Sequence, residues 1–148
     1  MKKLLAIGLL GFFFSLSVQA AQSVKPYEQL KPVASDIMNR TAELVNAIPD
    51  GYQNYYEYED QKVWRAQRNE LNTLSKDAEK LGDQLSSHFR HCINMVNAAD
   101  NLWIHAMAKG VIDPSFFEMY TKNKNDCQVE INTPPSTSSN VRVVDLWS

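Results

Sequence analysis

Apolar residues recur at steps of three and four along most of the chain, and the runs divide it into helices. The first run is Tyr27, Leu30, Ala34, Ile37, Thr41, Leu44 and Ile48, with Thr41 its only polar member. Pro32 cannot sit unstrained in the middle of such a stripe, so the helix either starts near Pro32 or kinks there. Pro49-Asp50-Gly51 reads as its end.

The second run is Trp64, Gln67, Leu71, Leu74, Ala78, Leu81 and Leu85, a narrow stripe with polar faces beside it. The third covers Phe89 to Ala108, where Ile93, Met95, Val96, Ala99, Leu102, Trp103, Ile104, Ala106 and Met107 reach nearly all round the helix. A helix that apolar must be covered on several sides. Lys109-Gly110 is its stop signal. Nothing interrupts the rhythm between the second and third runs. One continuous helix from Asp60 to Lys109 would be roughly 75 Å long. A break between Gly82 and Ser87 is preferred, because the third helix needs the second as a neighbour.

Asp113-Pro114 opens a fourth helix, with Asp as N-cap and Pro at the first helical position. Phe116, Tyr120 and Cys127 share its inner face. Beyond residue 131 the composition changes. Asn132 to Asn140 reads NTPPSTSSN, which cannot form a core. Val141 to Trp147 is strand-prone and could add to another protein's sheet edge, fold back onto its own bundle or remain loose. The expected fold class is therefore all-α: an up-and-down four-helix bundle over residues 21–131 with a flexible tail over 132–148.

Cys92 and Cys127 support that topology. Their midpoint falls on Lys109-Gly110, so an antiparallel pair turning there sets them opposite each other. The same mirror sets Trp103 opposite Phe116 and Ala99 opposite Tyr120. Two cysteines in an exported chain read most simply as one disulfide, here between the third and fourth helices. No C-x-x-C spacing suggests a redox-active pair.

Residues 1–20 read as a secretory signal peptide. Lys2 and Lys3 precede an uncharged stretch from Leu4 to Val18, and Val18-Gln19-Ala20 supplies small residues at the cleavage positions. The stretch is short for a membrane span, which needs about 20 residues. The periplasm is the expected destination. No membrane association is expected after cleavage.

The chain of 148 residues is 44% hydrophobic and 22% charged, which suits one domain rather than a disordered chain. It carries 15 basic and 17 acidic residues, and removing Lys2 and Lys3 makes it more acidic still. That balance argues against nucleic acid as a partner. Asn39-Arg40-Thr41 matches a glycosylation sequon, but inside a helical pattern it reads as chance.

Two constellations carry candidate chemistry. Between the first two runs lies GYQNYYEYED, residues 51–60, read as a connecting loop. Tyr52, Tyr55, Tyr56 and Tyr58 alternate there with Glu57, Glu59 and Asp60, and Trp64 and Arg65 follow. Tyr, Trp and Arg dominate protein-binding hot spots. The plain alternative is that some of these tyrosines cap the bundle core. The second constellation is His88, His91 and His105. His91 and His105 are fourteen apart and share a helix face, so a metal or haem site is an alternative. The haem-attachment motif is absent, and Met95, Met107 and Met119 read as packing.

No H-E-x-x-H, G-x-S-x-G, P-loop or Rossmann glycine pattern occurs. The expectation is a non-enzymatic protein without a cofactor, a monomer or weak dimer. It would act by binding a protein partner in the cell envelope as an inhibitor, immunity-type protector or adaptor. The alternatives are a metal- or haem-binding carrier and a structural or chaperone-like envelope dimer.

Overall fold

The breadth of apolar surface on the third run sets the architecture. In the computed structural model, which describes residues 21–136, four helices form: α1 Ala21–Tyr58, α2 Lys62–Glu79, α3 Arg90–Lys109 and α4 Pro114–Asn132. Ten residues of α3 are buried. It packs on all three other helices, while α2 and α4 lie on opposite flanks with no close backbone approach to each other. The α1–α3 pair is the spine of the molecule. Its core joins Ile37, Leu44 and Ile48 of α1 to Leu71 and Leu74 of α2 and to Met95, Val96 and Leu102 of α3.

Successive helices run antiparallel. Arg40 of α1 pairs with Glu70 and Asp77 of α2, whereas Ala47 O, further along α1, meets Gln67. His91 of α3 meets Glu130 of α4, and His105, near the other end, meets Phe116. This is an up-and-down four-helix bundle. The Cys92–Cys127 disulfide ties α3 to α4, with the Cα atoms 4.6 Å apart. Among the described residues no helix is long and apolar enough to cross a membrane.

The turns follow local chemistry. Gly82 has a positive φ of 105°. Asp83 Oδ1 accepts from the backbone N–H of Leu85 and Ser86, offering the chain an alternative to helix just after it. α2 and α3 are therefore separate helices, divided across residues 80–89. Gly110, at φ 67°, closes α3 with its N–H donating to Ala106 O at 2.7 Å. Asp113 caps α4 by accepting from Ser115 N, with Pro114 at the first position. Buried Thr41 is satisfied on its own helix, donating to Ile37 O at 2.7 Å.

The first helix departs from expectation. It neither starts at Pro32 nor stops at Pro49-Asp50-Gly51, but runs through Pro26, Pro32 and Pro49 to Tyr58. All three prolines are exposed, so none of their rings displaces a core side chain. Packing carries the helix past Gly51, which is buried beneath Gln67. Residues 51–58 are thus helix, and only Glu59-Asp60-Gln61 connects α1 to α2. Glu59 turns the chain at a positive φ of 53°. Asp60 Oδ1 then accepts from Lys62 N and starts α2.

The expected signal peptide over residues 1–20 and the expected strand-prone segment Val141–Trp147 both lie outside the described residues.

Candidate functional site

Extending α1 to Tyr58 places the tyrosines on a helix end rather than a loop. The last two turns of α1 lie beside the start of α2 and the end of α3. Tyr56 OH donates to Met107 O at 2.7 Å, serving a carbonyl in the last turn of α3 that has no helical partner. Tyr55 packs edge-on against Tyr56, with ring centroids 5.2 Å apart. From Tyr55 the rings continue to Trp64 at 6.5 Å and from Trp64 to buried Trp103 at 5.8 Å. Four aromatic rings therefore run from the surface into the core. Tyr52 packs half-buried against that core.

The outer members remain accessible: Tyr55 is 38% exposed, Tyr56 53% and Tyr58 69%. An open groove of about 520 Å³ lies beside them, bounded by Tyr52, Gln53, Tyr56 and Glu57 on one side and by Ala108 to Gly110 on the other. Glu57, Glu59 and Asp60 give the end of α1 a negative edge. The arrangement brings together Tyr52, Tyr55, Tyr56 and Trp64 and leaves Tyr58 at the rim. It does not bring in Arg65, whose guanidinium turns back to Gln61 Oε1 at 2.8 Å on its own side of the molecule.

Three residues outside the expected partner-binding set build the inner end of the ladder. Arg68 lies over the Trp103 ring at 5.5 Å and pairs with Asp100. Gln67, buried, accepts from Trp103 Nε1 at 3.0 Å and donates to Ala47 O, so one amide ties α1, α2 and α3. Trp103 stands opposite Phe116 in the mirror about Lys109-Gly110. Its ring contacts lie on α2 instead, and Phe116 stacks on His105 at 3.9 Å. The only sequence signal for Gln67 is its polar place in an apolar stripe.

The three histidines do not share one point: His88 and His91 both meet Glu130, while His105 lies toward the other end of α3. His91 and His105 do share a helix face, and both meet α4, but fourteen residues separate them by about 21 Å along the axis. Among the described residues no group of three or more His, Cys, Asp or Glu side chains could hold a metal ion. His91 Nδ1 lies 2.6 Å from Glu130 Oε1, while its backbone N–H donates to Glu130 Oε2 at 2.9 Å. A carboxylate from α4 thereby caps the start of α3. In return His88 Nε2 approaches Glu130 O at 3.0 Å, and Tyr27 OH donates to Ile131 O at 2.6 Å, which serves the last carbonyls of α4. Asp126 stands 3.9 Å from His91 Nε2. The hydrogen bond from Lys122 holds the Asp126 carboxyl below the usual carboxylate range. His88 and His91 are thus joints between helix ends. The Nδ1 of His105 is buried with no hydrogen-bond partner among the described residues.

No protein-family model, curated protein or solved structure matches the chain.

Proposed function

We propose that this protein works by binding another protein of the cell envelope through the aromatic end of its bundle. One observation carries the reading. Tyr55 and Tyr56 stand exposed on a ladder of rings whose inner end, Trp103, is buried, and Tyr58 is exposed at its rim. Large rings already held by packing lose little freedom on binding, which is what distinguishes a hot spot from a greasy patch. The acidic edge of Glu57, Glu59 and Asp60 favours a partner with a basic or neutral surface. Binding would act by occlusion or tethering, as in an inhibitor, immunity-type protector or adaptor. Export to the periplasm fits the N-terminal residues, and the disulfide fits an oxidising compartment.

The test is photo-crosslinking in intact cells from a benzophenone side chain at position 58, compared with one at Leu85 on the far end of the bundle. A discrete protein adduct from position 58 alone is expected. Tyr55→Ala with Tyr58→Ala should then weaken binding of the adduct partner by more than about 2 kcal/mol, some 30-fold, with helicity unchanged. An adduct from position 85 and none from 58 overturns the assignment.

A further inference from the structure

The opposite end of the bundle carries a second feature. An apolar groove of about 310 Å³ is walled by Pro26, Tyr27 and Leu30 of α1, by Leu81 and Phe89 flanking the α2–α3 connection, and by Pro135. Pro135 lies just beyond α4, so the chain leaves the described region as part of the groove's own wall. At the rim, Ser86 also lines the groove, and its neighbour Leu85 is 87% exposed. Tyr27, Leu81 and Phe89 form the floor and are themselves buried, so the groove opens directly onto the core.

The remaining sequence suits that place. Thr137 to Asn140 is an uncharged polar spacer, and Val141-Arg142-Val143-Val144-Asp145-Leu146-Trp147 is mostly apolar. From Ser136, Val141 is within about 17 Å of extended chain and Trp147 within about 37 Å. A spacer this short holds the segment at an effective concentration on the order of 1 mM around the groove. Even a weak groove would then be filled by this segment before a free peptide reached it.

We propose that the segment 141–147 of the same chain occupies this groove, with Leu146 or Trp147 against Leu30 and Phe89. The chain would thereby cover its own α1–α3–α4 junction, where Tyr27 and His88 serve the end of α4. This surface is separate from the tyrosine end, and the proposal does not rest on that reading.

The test uses the chain ended after Asn140 and a synthetic peptide of residues 141–148. Truncation should lower the melting temperature by about 3 °C or more. The peptide, followed by its Trp fluorescence, should bind the truncated chain with a Kd of about 0.1 mM or below and the full chain more weakly by about tenfold or more. Leu30→Gln in the truncated chain, with helicity retained, should weaken peptide binding by about fivefold or more, close to 1 kcal/mol. Ser86→Trp, which blocks the rim from an exposed position, should do the same where Leu30→Gln perturbs the fold. An unchanged melting temperature with no peptide binding overturns the proposal. So does peptide binding that neither variant affects. A melting temperature that rises with protein concentration only when the segment is present also overturns it, because the segment would then dock between copies.

Discussion

Gly51 shows how much one residue's meaning depends on its neighbours. In the sequence it ends Pro49-Asp50-Gly51 and reads as a turn. In the fold it is a helical residue whose Cβ position collides with Gln67 Oε1. Ordinarily Gly→Ala inside a helix gains about 1 kcal/mol. Here Gln67 cannot swing aside without giving up Ala47 O and Trp103 Nε1. Gly51→Ala should therefore destabilise by about 1–3 kcal/mol, the cost of overpacking, as read from denaturant unfolding. The loss should shrink sharply in the Gln67→Ala background, a coupling that a double-mutant cycle measures. A stabilised Gly51→Ala single variant would show that the amide does not lie over this glycine.

At the scale of elements, α1 is the informative helix. Pro32 and Pro49 each remove a backbone donor from its interior yet face solvent. Replacing either by Ala restores an N–H to the carbonyl four residues back and disturbs no buried contact. Up to about 3 kcal/mol is at stake, partly offset by the unfolded-state entropy that proline removes. Pro32→Ala and Pro49→Ala should each raise the melting temperature. A fall would mean that the proline itself helps to set α1 against α3.

The junction of α1 with α2 carries the clearest pH dependence. Arg40 Nη1 contacts Asp36 at 3.1 Å and Asp77 at 2.8 Å, while Nη2 contacts Glu70 at 2.7 Å. Hydrogen bonds from Lys80 and Arg40 hold the Asp77 carboxyl below its ordinary value of 3.8. Asp77 is largely covered, with a side chain 19% exposed. A lowered carboxyl stabilises the fold fully above that ordinary value, and the contribution is lost as the pH falls through the lower, folded one. Asp77→Asn should therefore cost stability at neutral pH and flatten the decline below about pH 4, as followed by urea unfolding across pH.

At the scale of the whole molecule, the disulfide and the exchanged helix caps lie at one end of the α3–α4 pair. The bridge closes a sequence separation of 35 residues. Removing it should cost about 3–4 kcal/mol, acting mainly through the unfolded chain. Cys92→Ala with Cys127→Ala should shift the denaturation midpoint by that amount and leave the helical circular dichroism in place, because α3 is buried against α1 and α2 as well as α4. Loss of helicity in that variant would make the bridge a condition of folding rather than an addition to it.

Residue order alone placed the stop at Gly110, the Asp113 cap and the cysteine pairing, and it favoured a break between Gly82 and Ser87 without deciding between one long helix and two. Each depends on chemistry within a few residues or on a simple mirror about one turn. The mirror was reliable for Cys92 and Cys127 but did not put Trp103 against Phe116, since spacing fixes height along a helix more tightly than direction around it. Tertiary structure decided the rest. It carried α1 through three prolines, because contacts with α3 and Gln67 outweigh a local breaker. It turned Tyr55 and Tyr56 from loop residues into the outer rungs of a ladder ending on Trp103. It also made His88 and His91 joints between helix ends, because their partner Glu130 is some forty residues away in sequence and comes within reach only when α4 folds back along α3.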